Sequence, residues 1–261
     1  MEDSSWKPLG RNSHGAVLPQ ASHGMLKNAI RRLIGPATLG RVDYYRFPQY
    51  RSGCGGPFNG QQGRREIFHA ILENCSPASI LETGTFRGTT TEYMARETGL
   101  PIYTAESDPR FAGYAKARLR GLSQVTIMSM DSRAALRRLS TRVKSPFCYL
   151  DAHWNDDLPL RDELSLVFAQ WPDAVVMIDD FEVPGDPGYG FDEYGDGRKL
   201  CLEYLRGIVG DWALFFPSLP SAKETGLKRG CVVLAVASSD QAWRLRQVAG
   251  LREYCRNDCP R

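Results

Sequence analysis

From Ala78 onward the chain alternates short apolar runs with amphipathic stretches, and this alternation constrains the fold more than any other feature. ASILET, PIYTAE, VTIMSM, PFCYLD and AVVMID read as strands. Between them lie TTTEYMARETG, PRFAGYAKARLRG, DSRAALRRLS and LRDELSLVFAQW, whose apolar residues recur at helical spacing. Strands that are apolar almost throughout, each followed by a helix, imply a parallel sheet covered on both faces. A further helix pattern, RKLCLEYLRGIV, leads into WALFFP and CVVLAVAS, which follow each other with no helix between them. That pair is expected to run antiparallel across the loop PSLPSAKETGLKRG. The expected fold class is therefore α/β, a doubly wound, mostly parallel seven-stranded sheet with its last strand antiparallel.

Ahead of this alternation, Gln61 to Asn74 reads as a helix with Ile67, Phe68, Ile71 and Leu72 on one face. Met25 to Ile34 reads as a short amphipathic helix stopped by Gly35-Pro36. Three segments follow: a leader and helical extension over 1–57, a main domain over 58–239, and a helix and tail over 240–261. A length of 261 residues suits one α/β domain with such extensions. No run of ~18 apolar residues is present, so no membrane span is expected, and the N-terminus lacks the apolar stretch of a secretory signal. The net charge of +3 is too mild to suggest a nucleic-acid partner. Residues 1–65 nevertheless carry ten Lys/Arg against three Asp/Glu, ahead of an acidic middle. This is read either as a solvated basic tail or as attraction to an anionic partner. Seven Cys without regular spacing indicate reduced thiols and a cytoplasmic protein.

The residues that carry chemistry stand at the strand ends. Glu82-Thr83-Gly84-Thr85-Phe86-Arg87-Gly88 closes the first strand and opens the first helix of the alternation. Gly84 permits a tight turn and Gly88 close packing at the helix start, which together make a shelf where α/β folds bind ligands. The second strand ends at Glu106, an acid placed to accept hydrogen bonds from a ribose diol. The third ends at Asp131-Ser132, facing an adenine edge, capping the next helix, or both.

This ordered set, over roughly residues 58–237, resembles the class I S-adenosylmethionine-dependent methyltransferases. The resemblance implies a Rossmann-like methyltransferase fold that binds S-adenosylmethionine. Glu82 and Gly84 would hold the methionine portion, Glu106 the ribose and Asp131-Ser132 the adenine. The segment Phe58-Asn59-Gly60-Gln61 would cover the cofactor.

The fourth and fifth strands end Tyr149-Leu150-Asp151-Ala152-His153-Trp154 and Met177-Ile178-Asp179-Asp180-Phe181. As neighbours in a doubly wound sheet they bring Asp151, Asp179 and Asp180 together, and three carboxylates repel unless a cation neutralises them. A hard divalent ion such as Mg²⁺ fits that need. Adjacent strand residues face opposite ways, so Asp179 and Asp180 converge only if the strand has ended there. The pattern resembles the metal-dependent small-molecule O-methyltransferases, closest to those acting on sugars. That resemblance implies O-methylation of a hydroxylated small molecule or sugar. His153, two residues from Asp151, is the base candidate, or else a structural histidine; Asp151 is the second catalytic candidate. The loop over 184–197 reads as a lid, with Tyr189, Phe191 and Tyr194 as stacking surfaces. Two other readings stay open: a metal-dependent enzyme like the cephalosporin hydroxylases on the same fold, and a non-catalytic nucleoside-binding module. A homo-oligomer also stays open.

Overall fold

The computed structural model describes residues 35–153, 157–195, 197–206, 208 and 210–255. All elements below lie in the unit that begins at Pro36. Five strands form in parallel: β1 (Ser79–Thr83), β2 (Ile102–Ala105), β3 (Val125–Met128), β4 (Pro146–Leu150) and β5 (Val175–Asp179). Two more follow, β6 (Trp212–Pro217) and β7 (Cys231–Val236), with β7 antiparallel to both β5 and β6. The antiparallel pair is the one expected. The sheet also has an eighth strand, β8 (Leu251–Glu253), antiparallel to β6, so it continues past residue 239 and the count of seven is one short. The full order is β3-β2-β1-β4-β5-β7-β6-β8.

Every residue of β1, β4 and β5 is buried, because both faces are covered. Alternate residues serve the two faces. Ile80, Phe147, Tyr149, Val175 and Met177 pack under α2 (Gln62–Cys75), α3 (Thr89–Thr98) and α8 (Asp240–Leu245) through Ile67, Phe68, Ile71, Met94 and Leu245. Leu81, Cys148, Leu150, Val176 and Ile178 pack under α5 (Ser132–Leu139) and α6 (Leu160–Gln170) through Leu136, Leu139, Leu160, Leu164 and Val167. The helix expected over 198–209 is shorter, α7 (Leu202–Arg206).

The helix expected over Met25–Ile34 lies outside the described residues. Pro36 opens a helix that sequence reading did not expect, α1 (Pro36–Arg46). Proline suits the first helical position because the N–H it lacks has no partner there. α1 packs on α4 (Pro109–Arg118), and the two backbones approach through Gly40 and Gly113. No helix among the described residues is long and apolar enough to cross a membrane. Cys75, Cys148, Cys201, Cys231 and Cys255 are free thiols.

Candidate active site

Parallel strands deliver their C-terminal ends to one edge of the sheet, and the chemistry-bearing residues gather there. After β1 the chain turns at Gly84, whose φ is 81°. A Cβ at Gly84 would collide with the Asp151 carbonyl, so the β1 and β4 ends approach at a distance only glycine allows. The contact is fastened by Asp151 N, which donates to Thr83 O at 3.1 Å. Gly88, with φ 72°, caps α3 and sits against Leu119.

Glu106 lies at the β2 end as expected. The Phe86 amide donates to Oε2 at 2.7 Å and the Asp108 amide to Oε1 at 2.8 Å. Each oxygen thus spends one lone-pair site on the glycine turn or its own loop and keeps capacity for a further donor. Burial pushes the Glu106 carboxyl above its ordinary range, and those amides oppose the shift. Glu82 is buried between β1 and α3. It accepts from the Thr91 and Thr104 hydroxyls, and burial pushes it up to about 7.

Asp131 is the N-cap of α5 and accepts from the amides of Arg133 and Ala134 at 3.0 and 3.2 Å. Arg133 also pairs with its Oδ2 at 2.7 Å and holds Asp131 below the ordinary carboxylate range. The capping role is thus realised. Ser132 follows as a buried residue in the first turn of α5.

At the β4 and β5 ends the geometry separates the three expected aspartates. Asp179 is the last residue of β5, and Asp180 has a left-handed backbone, φ 52°, so the strand has ended between them. Asp180 thereby joins Asp151 and His153, with one potential ligand atom of each within 4.8 Å of the others. Asp179 instead keeps the β5 alternation and points to the α2 side. There it pairs with Arg64 and accepts from the Tyr149 hydroxyl and from Asn59 Nδ2 at 3.2 Å. Arg64 further donates to the carbonyls of Arg229 and Gly230. Its pKa stays above the ordinary value: burial opposes the charge, and Cys231, Tyr149, Asp180 and Asp151 outweigh that opposition.

The cluster has two members that sequence reading did not single out. Arg229, two residues before β7, donates from Nε to Asp180 Oδ1 at 2.6 Å and from Nη2 to Asp192. Asp192 comes from the loop after β5, and the single Tyr194 hydroxyl proton is shared between its Oδ2 at 3.1 Å and the His153 carbonyl at 3.0 Å. About a third of the Asp151 side chain remains open to solvent. Even so, its enclosure and the nearby Asp180 push its carboxyl well above the ordinary range. Burial lowers the His153 pKa, favouring the neutral imidazole.

One further expectation changes. Tyr189 is not a stacking surface: it is buried, and its hydroxyl donates to Leu219 O at 2.9 Å. Phe58-Asn59-Gly60-Gln61 reaches the acidic site: Phe58 packs on Phe68 and Tyr149, Asn59 bonds Asp179, and Gln61 exchanges two hydrogen bonds with the Arg229 backbone. Trp154 lies outside the described residues.

No family model matches the chain. Among solved structures it is similar to a putative O-methyltransferase from Klebsiella pneumoniae, at a TM-score of 0.51 and 19% identity over 81% of this chain and 96% of that one. It is also similar to the O-methyltransferase TomG from Streptomyces achromogenes, solved in complex with SAM, at a TM-score of 0.51 and 18% identity over 84% and 99% of the two chains. The fold is that of the class I methyltransferases. In sequence, the chain is 28% identical over 186 residues to proteins named transmembrane O-methyltransferase from Propithecus coquereli and Homo sapiens. The match covers 65% of this chain and 57–60% of those relatives, so the chain spans somewhat more than half of their length.

Proposed function

We propose that this chain, on its methyltransferase fold, is an S-adenosylmethionine-dependent O-methyltransferase that acts on a hydroxyl of a small molecule or sugar with the help of a divalent cation. The observation that carries this reading is the adjacency of the shelf to the acidic cluster. Gly84, on the shelf, touches the backbone of Asp151, which belongs to the cluster with Asp180 and His153. A methyl donor on the shelf and an acceptor at the cluster would then be neighbours.

Glu106 fits a ribose diol, since its two oxygens are fixed by backbone amides and each retains accepting capacity. Glu82 and Gly84 are assigned to the methionine portion, Gly88 to the shelf, and Asp131-Ser132 to the adenine end. The donor, when bound, supplies a sulfonium methyl: the acceptor oxygen forms the new O–C bond, the C–S bond breaks, and S-adenosylhomocysteine leaves.

The donor set suits a divalent cation. Arg229 pairs with both Asp180 and Asp192, Asp151 lies beside Asp180, and the Asp179 charge is matched by Arg64. Carboxyl groups thus outnumber the guanidinium at the cluster, and burial first, then the neighbouring Asp180, disfavours an ionised Asp151 that a bound cation would favour. A cation held there would lower the pKa of an acceptor hydroxyl. Arg229 orients Asp180 and Asp192, and Tyr194 ties the loop over the site to the His153 backbone. The hydroxyl proton would leave to a group of the same cluster. The free thiols are in keeping with a cytoplasmic setting.

The test is a radiolabelled methyl-transfer assay over sugars and catechol-type acceptors, with and without EDTA, alongside calorimetry with S-adenosylmethionine. Binding of the donor together with chelator-sensitive transfer is expected. No donor binding refutes the reading, and transfer that survives chelation removes the cation from it.

A further inference from the structure

We propose that His153 is itself a ligand of the ion, completing a site of two carboxylates and one imidazole with Asp151 and Asp180, and that the site prefers a first-row transition ion to Mg²⁺. This rests on the reading above that the cluster takes a divalent cation. It departs from the sequence expectation, which assigned the ion to three aspartates and His153 to proton transfer.

Three observations carry it. First, the His153 side chain is only 1% exposed, and neither ring nitrogen has a hydrogen-bond partner among the described residues. Leaving a polar group buried and unpaired costs about 1–3 kcal/mol, which ligation would remove. Second, Nε2 stands 3.7 Å from Asp151 Oδ1, too far for a hydrogen bond. It is close to the spacing of two donors sharing one ion, since bonds of ~2.0–2.2 Å put neighbouring ligands roughly 3–4 Å apart. Third, Asp179 is already committed. Its Oδ1 accepts from Arg64 and from the Asp180 amide at 2.7 Å, and its Oδ2 from Tyr149 and Asn59. Turning Asp179 toward an ion would strand a guanidinium that is itself only 1% exposed. Asp180 is engaged by Arg229 through Oδ1 only, so its second oxygen lies outside that pair.

The donor set then decides the metal. Mg²⁺ takes oxygen ligands and dehydrates reluctantly. An imidazole shifts preference toward Fe²⁺, Co²⁺, Ni²⁺ or Zn²⁺, with Mn²⁺ accommodating both donor types.

The experiment uses the full chain stripped of metal and titrated calorimetrically with Co²⁺, Mn²⁺ and Mg²⁺. Co²⁺ is expected to bind more than about 10-fold tighter than Mg²⁺. His153→Gln should weaken Co²⁺ by at least about 10–100-fold, a loss already seen when only a ligand's supporting partner is removed, and should leave Mg²⁺ within a few-fold. Circular dichroism checks that the variant folds. Independently of any variant, spin-echo spectra of the Mn²⁺-loaded wild type should show a directly bonded nitrogen. Absence of that nitrogen signal overturns the proposal, as does Co²⁺ affinity unchanged in folded His153→Gln. Lost turnover with intact metal affinity would make His153 the proton acceptor and not a ligand. A wild type that binds no divalent ion overturns this proposal and the cation, while donor binding, measured separately, still judges the methyltransferase reading.

Discussion

Arg64→Met tests whether the buried pair under the acidic site is structural. The methionine fills similar volume on α2 and takes the guanidinium away. Arg64 and Asp179 are each 1% exposed, so solvent screening does not dilute the effect. Breaking a buried ion pair from one side costs about 3–5 kcal/mol because the remaining charge is uncompensated. Asp179 would keep the Tyr149 hydroxyl, Asn59 and the Asp180 amide, which pulls the loss toward the lower end. The carbonyls of Arg229 and Gly230 would each lose a donor, which pulls it back up by about 1 kcal/mol apiece. A loss of about 4 kcal/mol is therefore expected. At roughly 2–4 °C per kcal/mol for a chain near this size, the melting midpoint should fall by about 8–16 °C. Adding Asp179→Asn to the variant removes the stranded charge and should restore about half of the loss. Urea and thermal unfolding followed by circular dichroism give the free energy and the midpoint, respectively. A single variant that unfolds within about 2 °C of wild type refutes the reasoning, as does a double variant less stable than the sum of the two singles.

Glu106→Ala should weaken S-adenosylmethionine by about 1.5–3 kcal/mol, the range for hydrogen bonds to a charged group; calorimetry that finds equal affinity removes Glu106 from the ribose site. Glu163, on α6, is buried, and burial pushes it up from 4.5 to about 7 against the opposing pull of the Ser132 and Thr83 hydroxyls. The folded state therefore holds a proton that the unfolded state releases, so Glu163 lowers stability as pH rises from 4.5 to about 7. Glu163→Gln should then be more stable than wild type at pH 8 by up to about 3 kcal/mol, with the gain vanishing near pH 4.5; a gain that does not change with pH contradicts this. Gly84→Ala drives a methyl group into the Asp151 backbone at a φ of 81°, and should cost more than about 1–3 kcal/mol and abolish donor binding; normal binding would mean the turn is not the shelf.

The sheet was legible because its signal is local and repeated. Each strand from β1 to β7 falls within its largely apolar run, and the central β4, β5 and β7 are buried almost throughout, which is what makes such runs conspicuous. β8 was not legible. Leu251–Glu253 is three half-buried residues, too few for any alternation to show, and it exists because β6 offers an edge. α1 was missed for a different reason: Pro36 reads equally well as a stop or as a first helical residue, and the short apolar spacing upstream favoured the stop.

The candidate site divides along the same line between local and distant signals. Glu106, Asp151 and Asp180 could be placed because each stands just past an apolar run, and strand ends in such sheets meet at one edge. Which carboxylate faces which neighbour depended on partners far away in sequence. Arg64 did leave a trace: it lies three and four residues before Ile67 and Phe68, a charge on the apolar stripe of α2, and a buried charge requires a counter-charge. Reading that stripe for its exception would have reserved one acid of the site for Arg64. Arg229 left none, since nothing in KRGC distinguishes a guanidinium that bridges two aspartates from one in solvent. The parity of β5 completes the argument. Val175, Met177 and Asp179 share the α2 face, so once Arg64 is placed on that face its partner is Asp179, and Asp180, released by its left-handed turn, is the one left for the cluster.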